Sequence, residues 1–149
     1  MSKRRAKSSL SVTVLFASFF GTAMIAIAFA YFNYKFSQYK FVDFSKWILY
    51  QKSDLFKPTH PNYTVLFYNS RVNTPKKILP LKQKNHILAI DFAQNKFASD
   101  QNITYVTAPT KVLLNIIQRF NIYETPSVFL IKQSKESLYK QDSKISLVN

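Results

Sequence analysis

Between residues 8 and 34 the chain carries no charge, and residues 10–32 are apolar or small apart from four Ser and Thr hydroxyls and Tyr31. A helix of that length crosses a bilayer at about 1.5 Å per residue. It is apolar on every side, so it offers water no polar face. Lys3, Arg4, Arg5 and Lys7 precede the run, and Tyr31, Phe32 and Tyr34 close it. Basic flanks stay in the cytoplasm and aromatic rings sit at the interface, so the remainder of the chain is expected to face outward. A cleaved secretory signal is the competing reading. Ala26-Ile27-Ala28 and Ala28-Phe29-Ala30 both fit the small-x-small cleavage pattern. The apolar stretch of about 20 residues exceeds the roughly 7–15 of a signal core, which favours an uncleaved anchor.

The expected layout is a basic cytoplasmic segment at 1–8, a transmembrane helix at 9–34, a polar spacer at 35–40, one folded domain at 41–141 and a tail at 142–149. About 110 residues suffice for a single hydrophobic core. The lone glycine, Gly21, lies in the apolar run, so the domain must turn on Asn, Asp, Ser and Pro.

Within the domain, Asp43 is placed to cap a helix bearing Phe44, Trp47, Ile48 and Gln51 at helical spacing. Lys57-Pro58-Thr59-His60-Pro61 then breaks the chain. Residues 63–68 and 86–92 read as buried strands, and 103–106 as a short extra one. Asn69 to Thr74 is a loop; Pro75 suits the first turn of a helix, which Pro80 kinks or ends. Thr110 is expected to cap a helix over 111–120 with Val112, Leu113, Ile116, Ile117 and Phe120 in one stripe, stopped by Asn121. Residues 127–131 form a further strand, with a weaker one at 137–139. Alternating helices and strands followed by a strand pair indicate an α/β fold with parallel crossovers and a closing hairpin.

Several chemistries are excluded by composition. The chain has no cysteine, so it has no disulfide, no thiolate metal site and no thiol nucleophile. Its two histidines, His60 and His86, do not make a zinc site by themselves. No glycine-rich loop is present to hold phosphate. Ser70 and Thr74 lack an evident base. Asp91 reads as a strand-end acid and Glu124 as a loop charge. No catalytic constellation, cofactor or metal is therefore expected. The 21 Lys and Arg against 7 Asp and Glu give a net charge of +14. That excess suits a basic, solvated surface or an anionic partner such as acidic protein, lipid headgroups or cell-wall polymer. Nucleic acid is disfavoured by the outward placement.

Two blocks carry a resemblance. Phe67-Tyr68-Asn69-Ser70-Arg71-Val72-Asn73-Thr74-Pro75-Lys76-Lys77-Ile78-Leu79-Pro80 has the layout of a thioredoxin active-site strand, turn and helix, with Val72 and Pro75 where such sites carry cysteine. Phe120-Asn121-Ile122-Tyr123-Glu124-Thr125-Pro126-Ser127-Val128-Phe129-Leu130-Ile131 is similar to the family's helix end, loop, cis proline and strand. Over residues 41–139 the chain resembles the thioredoxin superfamily. The long insertion between Phe92 and Thr110 looks more like its membrane-anchored, extracytoplasmic bacterial members, which serve thiol reduction and cytochrome c maturation. The resemblance implies a central mixed sheet flanked by helices, a cis bond before Pro126, and a periplasmic domain held at the inner membrane. It also implies a groove for an extended peptide, lined here by Tyr68, Arg71, Val72, Tyr123, Thr125 and Pro126. Arg71, Lys76, Lys77, Lys82 and Lys84 form a basic face around it. A non-catalytic binding factor, assembly factor or accessory subunit of a membrane complex is the expected function. An auxiliary of a thiol–disulfide or cytochrome c maturation pathway with a cysteine-bearing partner, and a polymer-binding envelope protein, stand as alternatives.

Overall fold

A computed structural model describes residues 11–38, 40–79 and 84–148. The chain divides into two units, Met1–Gln38 and Tyr39–Asn149. Pro80 and Lys82 lie outside the described residues, as do Lys3, Arg4, Arg5 and Lys7.

The first unit is α1 (Val12–Gln38). Val14, Phe16, Phe20, Met24, Ile27 and Phe29 are all more than half exposed, so the apolar surface runs around the whole helix. Residues Val12–Ser37 are long and apolar enough to cross a membrane. The expected spacer at 35–40 is helical as far as Gln38. Its polar residues include no glycine or proline, and Ser37 Oγ donates back to the Tyr34 carbonyl at 2.7 Å.

The second unit is mixed α/β. β1 (Phe41–Asp43) opens it. The helix expected after Asp43 is absent. Asp43 instead closes a turn, its Oδ1 accepting from the Ser45 N–H at 3.0 Å and the Ser45 hydroxyl at 2.6 Å. These bonds, led by the Ser45 hydroxyl, hold the Asp43 carboxyl below its ordinary pKa. Beyond the turn, Trp47 and Leu49 are buried while Ile48 is exposed, a period of two that belongs to extended chain. A small hairpin follows, β2 (Tyr50–Gln51) with β3 (Asp54–Leu55), turning through Lys52 at φ 57°.

β4 (Asn62–Tyr68) is followed by the one-turn α2 (Pro75–Ile78), with proline in its first turn. β5 (His86–Asp91) and β6 (Ile103–Val106) come next, then α3 (Thr110–Phe120). Pro109, not Thr110, is the N-cap of α3, and Asn121 ends the helix in the left-handed conformation at φ 50°. β7 (Ser127–Lys135), β8 (Leu138–Gln141) and β9 (Ser146–Leu147) complete the chain. The main sheet runs β1-β8-β7-β4-β5-β6, with β9 also pairing β7. β4, β5 and β6 are mutually parallel; β7 is antiparallel to β4, and β8 to β7.

Alternation along β4 sends Tyr63, Val65 and Phe67 to one face and Leu66 and Tyr68 to the other. The first face packs under the α3 stripe of Leu113, Ile116 and Phe120, together with Phe44, Trp47 and Phe56. The second lies with Leu79, against which Ile78 and Val148 pack. Because β4 is buried on both faces, its two ends alone are free to carry a site.

Candidate functional site

Three loops meet at one end of the sheet. The loops after β4 and β5 leave from parallel strand ends, and the loop before β7 arrives there because Ser127 pairs with Phe67. Asp91, 1% exposed at the end of β5, ties the first two together. Its Oδ1 accepts the N–H groups of Ser70 at 3.0 Å and Ala93 at 2.9 Å, and its Oδ2 accepts the Asn95 N–H at 2.9 Å. Asn95 Nδ2 donates to Ser70 Oγ at 2.7 Å. A buried carboxylate that accepts three backbone N–H groups in this way acts as a structural clamp between the two loops.

The 69–74 loop folds on Asn69. Its carbonyl accepts the N–H groups of Val72 and Asn73 at 3.0 and 2.9 Å, and its Oδ1 accepts the Arg71 N–H at 3.0 Å. This tight turn pushes the Val72 side chain outward to 76% exposure, while Pro75 is buried. On the other side, Asn121 and Ile122 fold back on the Ile117 carbonyl. Ile122 is buried and Tyr123 is 88% exposed. The Thr125–Pro126 bond is cis, and Ser127 Oγ donates to the Glu124 carbonyl at 2.6 Å.

Two depressions flank these loops. One, about 310 Å³, is lined by Phe67, Asn69, Phe92, Ile117, Tyr123 and Thr125 among others. The second, about 420 Å³, is lined by Val72, Asn73, Thr74, Lys77, Pro126 and Val148, with Ile78. The expected groove residues Val72, Tyr123, Thr125 and Pro126 thus line the two depressions, and Arg71 stands exposed on the same loop as Val72.

Tyr68 is a correction. It is fully buried among Leu66, Ile87 and Ala89, because strand alternation turns it away from the loop that follows. Its hydroxyl has no hydrogen-bond partner among the described residues. Burial, then the negative charge of Asp91, pushes its pKa far up.

Of the basic face, Arg71, Lys77 and Lys84 are exposed, and Lys82 lies outside the described residues. Lys76 reaches Asp100 at 3.2 Å, an exposed pair. The histidines stand at the opposite end of the strands. Their rings stack at 4.4 Å, and His86 Nε2 lies 2.7 Å from Thr104 Oγ1. Burial, then the neighbouring His60, lowers the His86 pKa. No group of three potential metal ligands occurs among the described residues.

Phe92, Ile117 and Lys77 join the site without having been singled out as its walls. The apolar stripe of α3 already contained Ile117, and Phe92 follows the strand-end acid. Val148 gave no signal, since nothing local distinguishes it from the rest of the tail. No family model, no curated protein and no solved structure matches the chain.

Proposed function

We propose that the chain is a membrane-anchored, non-catalytic binding factor of thioredoxin-like build, acting in assembly or as an accessory subunit of a membrane complex. Its helix Val12–Gln38 would be the single span, with the domain on the periplasmic side of a bacterial inner membrane. The observation that carries the reading is the pair of exposed apolar side chains, Tyr123 and Val72, on two loops bordering adjacent depressions. Exposed aromatics of this kind are enriched at the cores of protein interfaces. The loop 123–126 borders both depressions, Tyr123 to Thr125 lining the first and Pro126 the second, and an extended peptide laid along it is the recognition mode this reading calls for. Support for the thioredoxin-like build comes from the parallel β4–β5 pair around α2, followed after α3 by the antiparallel pair β7 and β8.

The test is purification of the full-length protein from its native membrane in mild detergent, with mass spectrometry of what co-purifies. Tyr123→Ala with Thr125→Ala is the control. A defined partner set that the control loses is expected. An unchanged set would move the interface away from these loops, and the absence of any reproducible partner would sink the accessory-subunit reading.

A further inference from the structure

β7 has two edges with different fates. Its inner edge pairs with β4 from Ser127 to Lys132. Its outer edge meets β8 only from Ile131 onward. Between Pro126 and Leu130 the outer backbone groups would therefore be open, and an open edge is a template for another strand. Residues 142–148 cover it.

The cover is thin. The Asp142 N–H donates to the Leu130 carbonyl at 2.8 Å, and the Leu130 N–H is satisfied by the Ser143 hydroxyl at 2.8 Å rather than by backbone. β9 then pairs Ser146 with Val128 and Leu147 with Ser127, and the Val148 N–H reaches the Pro126 carbonyl at 3.1 Å. Two half-buried side chains hold the segment. Ile145 packs against the larger core cluster and Val148 against the smaller. Ser146 and Leu147 are exposed. Val148 also forms part of the depression lined by Val72, Thr74, Lys77 and Pro126. By contrast, the β6 edge is closed at Thr107 by reciprocal backbone bonds with Tyr50 at 2.8 and 2.9 Å.

We propose that residues 145–148 are a resident, replaceable strand in the binding site, and that an extended segment of the partner protein takes their place along Pro126–Leu130. This rests on the peptide-binding reading of that site. The occupant already present states the chemistry of its replacement: an extended peptide with two apolar side chains three residues apart. The first refills the position of Ile145 and the second that of Val148. Short strands held by few buried groups belong to the low-stability end of a fold, where exchange with a ligand costs least.

Two measurements on the full-length chain in detergent test this. The first is amide hydrogen exchange within β7. Val128 and Leu130 face the resident strand, whereas Phe129 and Ile131 face β4. The outer pair is expected to exchange at least about tenfold faster, because local opening of the segment exposes it alone. Equal protection would overturn the proposal, showing the segment to be a fixed part of the sheet. The second uses a fluorescent peptide of the sequence of residues 142–149 as the probe. The Ile145→Asp, Val148→Asp chain is expected to bind it and the unmodified chain not to, with a scrambled peptide binding at least about tenfold more weakly than the native sequence. A folded double variant that ignores the peptide would overturn the proposal, as would a variant that instead dimerises by exchanging strands between copies. Neither measurement uses Tyr123 or Thr125. Fast exchange and peptide binding with an unchanged partner set in the Tyr123→Ala, Thr125→Ala control would retain the replaceable strand and reject the groove.

Discussion

Among the described residues, α3 and residues 44–56 enclose a cluster of 19 buried residues on one face of the sheet; on the other is a cluster of 7, Leu79 among them, with Ile78, Val128 and Val148 packed at its margin. β4, β5 and β6 supply both faces, whereas the buried apolar residues of β1, β7 and β8 all belong to the larger cluster. The rest of the difference comes from what covers the two faces. The first face has a full amphipathic helix and aromatic edge-to-face contacts, such as Trp47–Phe120 at 6.1 Å and Phe44–Tyr139 at 5.2 Å. Among the described residues, the second has α2, a single turn, and a tail residue. Apolar burial scales with covered area, so the first face carries most of the stability. The proposed release of residues 145–148 would free Ile145 from the first face and Val148 from the second, which adjoins the depression that contains Val148.

The largest test of this contrast is a pair of truncations. Phe129 is 2% exposed and its ring lies 4.6 Å from Phe120. Phe129→Ala is expected to destabilise the domain by about 3–5 kcal/mol. Leu79→Ala, on the second face, is expected to cost about 2 kcal/mol, the low end for such a deletion. Urea unfolding followed by far-UV circular dichroism measures both. Equal losses would break the comparison, because the second face would then be as firmly built as the first.

A somewhat smaller effect is expected where the two faces meet at the strand ends. Asp91→Ala removes the acceptor for three N–H groups, those of Ser70, Ala93 and Asn95. A loss of about 2–3 kcal/mol follows, since bonds to a charged acceptor are strong and the orphaned donors lie in a partly buried clamp. The loop around Val72 should loosen at the same time, visible as faster amide exchange at Ser70. Loss of stability with Ser70 exchange unchanged would mean that the clamp does not position the site.

Much of this architecture could be read from the chain. β4, β5, β7 and α3 announce themselves because each has a run of apolar residues at the period its structure requires, and Asn121 marks the end of α3. Residues 44–51 mislead for a physical reason. Phe44, Trp47 and Ile48 fit a helical spacing, while Trp47 and Leu49 fit the alternation of extended chain; tertiary burial decides for the second. Tyr68 misleads because closeness to a loop in sequence says nothing of strand phase, although Leu66 two residues earlier points to the same buried face. Val148 is illegible because it belongs to the site through the pairing of β9 with β7, about twenty residues away in sequence, and no local preference encodes that partner.

The finest test concerns the hydroxyl of Tyr68. It sits buried on the second face without a partner among the described residues, next to the negative charge of Asp91. A buried, unsatisfied hydroxyl keeps its desolvation cost and gains no bond in return. Tyr68→Phe keeps the ring that fills the core and removes only that group. The domain should become more stable by about 1 kcal/mol at neutral pH. The pH dependence has a definite sign. Burial raises the folded pKa of Tyr68 above the usual value near 10, so the unfolded chain releases this proton first. Its neutral state supports folding below about pH 10, and that support is lost as the pH rises beyond it. Tyr139, pushed up to about 12 by burial, acts in the same direction from the other face. Tyr68→Phe should therefore leave an alkaline loss, but a shallower one. A variant less stable than the original at pH 7 would reveal a partner for the hydroxyl, and with it a second face more completely built than the contrast allows.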